Sequence, residues 1–441
     1  MAGNALAAGN VSRLIGERPL PEFYLIRQKF DDTCINVKDI PAAVAEAAKR
    51  PGTLDMLRPG QIVAIAVGSR GVNNIALIAR TLARLVMECG ARPFIVPAMG
   101  SHGGATAEGQ AQLLADYGVI ESYTGCPVIS DMATVALGRT ASGVGVFFDE
   151  NAYAADAVIL LNRIKPHTDF RGTYESGLAK QIVIGLGKQD GAEACHSQKL
   201  EDMPANIHDA AALAIAKTNI LFGVGIIENA YDRTMKICAL PAAGLLAEEP
   251  ALLGIARRHM PSILLSPFDV LIIDEIGKDI SGAGMDPNIT GRTSADFEPG
   301  GADAQRCVAL DITDQSHGNG LGLGLADFSV TRAFDKFDFE TVYPNIVTNA
   351  MPESGKLPVI LANDLLAIRA AVKTCRFIDF DSPAIVRIKN TLSMEYMFVS
   401  EALLGRARAH GAIDVAGGPA RFAFDEKGNI DFNIWLQIVN K

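Results

Sequence analysis

Gln61-Ile-Val-Ala-Ile-Ala-Val67 runs into the turn Gly68-Ser69-Arg70-Gly71-Val72-Asn73-Asn74, and that turn runs into an amphipathic stretch over residues 75–89 closed by Gly90. Six successive apolar residues with no polar alternation predict a strand covered on both faces, as in a parallel sheet. The glycine turn, the helical periodicity after it and a glycine C-cap complete a strand–turn–helix unit. The pattern then repeats, with residues 92–97 as strand, 99–104 as glycine turn and 107–117 as helix before Gly118. Two such units in tandem predict a mostly parallel sheet.

Working outward, Ala157-Val-Ile-Leu-Leu161 and Gln181-Ile-Val-Ile184 read as further buried strand or core segments, and the alanine-rich residues 203–217 as a helix. A second block opens near Ser266, where Phe268-Asp-Val-Leu-Ile-Ile-Asp274 reads as a strand followed by a glycine-rich loop over 277–288. Val308-Ala-Leu-Asp-Ile312 and another glycine-rich loop over 316–324 continue it, and the helical stretch 250–260 marks the boundary. The expected fold is α/β: two α/β domains, 1–260 and 261–441, with mostly parallel sheets and an active-site cleft between them.

Of the 441 residues, 49% are hydrophobic and only 20% charged, enough apolar material for two or three domain cores. The formal charge of -10, with lysines and arginines scattered, disfavours a nucleic-acid or anionic membrane surface and points to small-molecule partners. Seven cysteines without a Cys-x-x-Cys pair make neither a disulfide framework nor a zinc knuckle. The first ten residues lack the basic and apolar regions of a secretory signal, and no apolar run nears the roughly 20 residues that span a bilayer, so a cytoplasmic protein is expected.

Three histidines and a lysine stand among glycines: His102 in Met-Gly-Ser-His-Gly-Gly, His167 in Lys-Pro-His-Thr-Asp-Phe-Arg-Gly, Lys180 in Gly-Leu-Ala-Lys, and His196 after Cys195. In open α/β sheets, loops beyond the carboxyl ends of strands carry ligands, which favours His102 and His167. Gly100, Gly103 and Gly104 allow close backbone approach, and that turn reads equally as a phosphate-binding or connecting loop. Two histidines can share acid and base duty on opposite faces of one carbon. Arg70, at a helix N-terminus, suits a phosphate or carboxylate, or is simply an exposed loop arginine. Lys180, beside an apolar run, has either a covalent role or a snorkelling ammonium. His196 is a metal ligand only if other groups supply more ligands. No Walker lysine and no Gly-x-Gly-x-x-Gly after a strand supports an ordinary nucleotide site.

In order and spacing, these motifs resemble the nickel-dependent lactate racemase family. The resemblance implies catalytic roles for His102 and His167, a cofactor-tethering Lys180, a nickel-binding His196, and cofactor contacts from Ser69, Arg70, Gly71 and Gly100. The implied cofactor is a nickel-pincer nucleotide, nickel bound to a pyridinium-3,5-bisthiocarboxylic acid mononucleotide derivative, delivered by cofactor synthesis proteins. Gly68-Ser69-Arg70-Gly71-Val72 stands where lactate racemases carry an Asp-His-Thr-Arg-Pro type turn, and the loop over 277–292 also departs from theirs. Arg70, Lys278 and Arg292 are the substrate-binding expectations, and the expected substrate is a 2-hydroxy acid other than lactate.

The same resemblance implies a mechanism: one histidine removes the hydroxyl proton as the C2 hydride passes to the cofactor ring, and return of the hydride to the other face inverts C2. The alternatives are another redox or dehydration chemistry on the same cofactor, or a non-catalytic protein that binds the cofactor or a nucleotide.

Overall fold

The computed structural model describes residues 10–69, 71–349 and 351–435. The chain divides into two compact units, Asp31–Met260 and a second formed by Met1–Phe30 with Pro261–Lys441. Both are α/β, with mostly parallel sheets.

The sheet of the 31–260 unit has the spatial order Arg92–Pro97, Ile62–Val67, Ala157–Arg163, Ile220–Glu228, Thr234–Pro241, and only the last strand is antiparallel. Strand side chains alternate, so Ala64 and Ala66 face one way and Val63, Ile65 and Val67 the other. The alanine side packs against Leu178, Ile182 and Val183, and the bulky side packs against Ile78, Leu82 and Val86 of the Ile75–Glu88 helix. Both faces are covered, which is why the run is apolar throughout. Ile65, Ile78 and Leu82 are fully buried, each burial worth roughly 1.5–3 kcal/mol. The helix starts after Asn74, whose left-handed backbone (φ 60°) asparagine tolerates and whose side chain bonds Thr234 Oγ1 at 2.9 Å.

The chain enters this sheet at Ile62–Val67 and then goes to opposite sides, to Arg92–Pro97 on one and Ala157–Arg163 on the other. Such a reversal opens a crevice at the carboxyl ends of the strands. The turns holding Ser69, His102 and His167 leave these three adjacent strands.

Gln181–Ile184, expected as strand or core, is core but helical. Leu178–Lys180, a five-residue turn of π type at Gln181–Gly185 and the helix Lys188–His196 follow one another. Ile182 and Val183 are buried against the sheet, so tertiary packing overrides the β propensity of the run.

The second unit holds an eight-stranded mixed sheet in the order Val359–Leu361, Phe328–Val330, Ala304–Ala309, Phe268–Ile273, Ile385–Ile388, Tyr396–Ser400, Phe23–Gln28, Ile413–Ala420. Phe23–Gln28 lies between two antiparallel neighbours there, with Phe23 opposite Ser400 and Ile26 opposite Met397. The expected domain 1–260 therefore needs correction at its start. Phe23 and Ile26 are fully buried in the second unit's core, and the Gln28 amide bonds the carbonyls of Ser262 and Met394 at 2.9 Å each.

Candidate active site

Ser69 follows the Ile62–Val67 strand, and its Oγ lies 2.7 Å from His102 Nδ1. His102 belongs to the turn after Arg92–Pro97, where Gly100 takes φ +63° and a Cβ would sit 3.2 Å from Ile184. The Gly100 amide donates to the Gly185 carbonyl at 3.1 Å, joining this turn to the segment that follows Lys180. Gly71, also at positive φ (+56°), is exposed. Arg70 lies outside the described residues.

His167, 7% exposed, is held from several sides. Its backbone amide donates to Glu175 Oε2 at 2.7 Å, its ring stacks on Phe170 with centroids 4.2 Å apart, and its Nδ1 accepts the Asp169 amide at 3.0 Å. An acceptor at Nδ1 places the proton of the neutral ring on Nε2. Nε2 in turn lies 2.5 Å from Lys180 Nζ.

Lys180 ends the Leu178–Lys180 turn, whose first amides are capped by Glu249 from the helix Ala242–Arg258; the Ala179 amide donates to Glu249 Oε2 at 2.9 Å. Gly177 is required by that approach, since a Cβ there would overlap Glu249 Oε1. Burial pushes the Glu249 carboxyl up to about 7. The same helix braces the preceding loop through Arg257 on Glu175 at 2.5 Å and through the Tyr174 hydroxyl on the Leu246 carbonyl at 2.5 Å.

His196 ends the helix Lys188–His196. Burial, then the charge of Lys180, lowers its pKa, while Asp169 opposes the shift, so the neutral, ligating form of the imidazole is favoured. Burial pushes the neighbouring Cys195 thiol up to about 11, which leaves it protonated. Among the described residues, no three His, Cys, Asp or Glu side chains converge as a metal site.

The structure thus brings Ser69 to His102 and His167 to Lys180, with His196 and Asp169 in electrostatic range of the latter pair. Lys278 and Arg292 lie in the other unit. Lys278 Nζ bonds the Gly282 carbonyl at 2.6 Å, and Arg292 pairs with Asp327 at 3.0 Å and bonds the Ala304 carbonyl. Sequence reasoning missed Asp169, Glu175 and Glu249. Asp169 and Glu175 stand in the glycine-containing stretch around His167, a signal that could have raised them, whereas Glu249 has no local one. No helix among the described residues is long and apolar enough to cross a membrane.

Residues 19–207, which hold Ser69, His102, His167, Lys180 and His196, match the lactate racemase N-terminal domain. Among solved structures, the lactate racemase apoprotein from Thermoanaerobacterium thermosaccharolyticum is similar at 15% identity and a TM-score of 0.40, over 56% of this chain and 60% of that one. The similarity therefore spans less than two thirds of that protein's length. No curated protein matches the sequence. Over residues 19–207, less than half of the chain, the sequence is similar to the lactate racemase N-terminal domain.

Proposed function

We propose that this chain is an isomerase, a racemase or epimerase that inverts C2 of a 2-hydroxy acid with a nickel-pincer nucleotide held at Lys180 and His196. The observation that carries the proposal is the Lys180 amine set 2.5 Å from His167 Nε2, on the segment that leads to His196. When bound, the cofactor supplies a reversible acceptor for the C2 hydride. Lys180 is its proposed covalent anchor and His196 its nickel ligand, with Ser69, Arg70, Gly71 and Gly100 as proposed contacts to the rest of it. Cofactor synthesis proteins are the proposed partners that load it, in the cytoplasm.

The two histidines differ in a way that suits inversion. His102 shares Nδ1 with Ser69 Oγ, and the tautomer that donates Nδ1–H to Oγ leaves Nε2 as a base for the substrate hydroxyl. His167 is the proposed group that returns a proton to the opposite side. In the reverse direction the roles exchange. For the substrate carboxylate, Arg70 is the proposed contact.

The test is to load the protein by co-expression with cofactor synthesis enzymes, then assay a panel of 2-hydroxy acids for inversion. Inversion of at least one member supports the proposal. Stoichiometric nickel without inversion anywhere on a broad panel rejects it in favour of a carrier or another redox chemistry.

A further inference from the structure

Lys188 follows a glycine, as Lys180 nearly does, yet its environment differs completely. Its side chain and that of Asp149 are both fully buried, with Nζ 3.1 Å from Asp149 Oδ2. The ammonium donates to the Pro97 carbonyl at 2.7 Å and to Gln110 Oε1 at 3.2 Å. Gln110, itself fully buried, turns its Nε2 to the Gly100 carbonyl at 2.6 Å and the His102 carbonyl at 3.3 Å. Asp149 Oδ1 meanwhile accepts the Ala152 amide at 2.7 Å, which fixes the carboxylate on the helix Glu150–Ala154.

A continuous polar chain therefore runs from Asp149 through Lys188 and Gln110 to the backbone of the His102 turn. Lys188 also opens the helix Lys188–His196, and does so in the left-handed region (φ 53°), which a non-glycine residue seldom occupies without a reason. Buried ion pairs add little net stability, because desolvation offsets their attraction, and well-packed apolar residues of similar volume often do as well. What this one supplies is geometry, because its ammonium grips the last carbonyl of the Arg92–Pro97 strand and the glutamine that bridges the turn beyond it.

We propose that Lys188, with Asp149 and Gln110, is a positioning strut that holds the His102 turn against the helix bearing His196. The strut sets where the His102 imidazole stands relative to that helix. Its importance for turnover rests on the function proposed above, while its effect on the turn does not and is measurable without cofactor.

The experiment uses the full-length apoprotein as wild type, Gln110→Leu and Lys188→Met. Backbone hydrogen exchange is followed over residues 98–106 and over the rest of the 31–260 unit, together with the rate at which diethyl pyrocarbonate modifies each histidine. In Gln110→Leu, which leaves the ion pair intact, exchange over 98–106 should accelerate at least tenfold and His102 modification change at least threefold, with exposed His208 unchanged. Lys188→Met should do the same where it folds, and Gln110→Leu decides the matter where it does not. Unchanged exchange and His102 reactivity in Gln110→Leu, or uniform loosening of the whole unit, overturns the proposal. In loaded protein, Gln110→Leu should lower kcat at least tenfold with little change in KM, by the same factor in both directions because the equilibrium constant is fixed. An unchanged kcat in the loaded variant counts against it. A positive exchange result without racemase activity in the wild type would leave the strut standing and remove the proposed function.

Discussion

Replacing Glu249 by glutamine tests how burial supports the Lys180 segment. Glu249 is 2% exposed and caps Ala179, and burial raises its carboxyl from 4.5 to about 7 against the opposing pull of the Ala179 and Leu178 amides. An acid raised in the folded state holds its proton more tightly there than in the unfolded chain. Its contribution is therefore fully present below about pH 4.5, is lost as pH rises towards 7, and is constant above. A rise of this size corresponds to about 3 kcal/mol. Glutamine keeps an acceptor for the Ala179 amide and has no proton to lose. The stability of Glu249→Gln minus that of wild type should thus climb by about 3 kcal/mol between pH 4.5 and 7.5 and then level off. Hydrogen exchange of peptides from 178–196 across a urea series, at several pH values, reads this for the relevant unit without assuming that the whole chain unfolds at once. A difference flat with pH, or one that falls as pH rises, refutes the reasoning.

Lys180→Ala should abolish any covalent mass increment in protein co-expressed with the cofactor synthesis enzymes; an increment that survives on the intact chain contradicts the anchor assignment. His196→Ala should lose nickel at least tenfold by elemental analysis while changing the melting temperature by only a few degrees, because a partly exposed side chain at a helix end contributes little to packing. His102→Ala and His167→Ala should each lose inversion by about 10²–10⁴-fold, yet retain opposite single-enantiomer half-reactions with the loaded cofactor, followed by absorbance. The same enantiomer preference in both variants would argue against paired bases.

Much of the fold was legible because parallel strands buried on both faces read as unbroken apolar runs. Ile62–Val67, Arg92–Pro97 and Ala157–Arg163 stand where the runs place them, and each site turn follows one of them. Phe23–Gln28 was not assignable to its sheet, because its partners lie at Tyr396–Ser400 and Ile413–Ala420 and nothing local names them. Gln181–Ile184 carries the β-branched signature of a strand, and only its packing under the sheet makes it helical. Among site residues, the glycine-flanked histidines and Lys180 were visible as motifs. Their supports were not: Glu249 is one of two adjacent acids in the helix Ala242–Arg258, with nothing local to set it apart from Glu248, and the partners of Lys188 are brought to it by the fold alone. Lys188 did carry a usable signal, since it stands among glycines as Lys180 does.

In the proposed function the C2 hydrogen moves as hydride. The most direct test is turnover of a 2-hydroxy acid deuterated at C2 by the cofactor-loaded protein in ordinary water. The expected result is inverted product that keeps its deuterium, formed more slowly than from unlabelled substrate. Inverted product that has exchanged the label for solvent hydrogen would contradict it, because it would place a histidine on carbon as a proton-abstracting base.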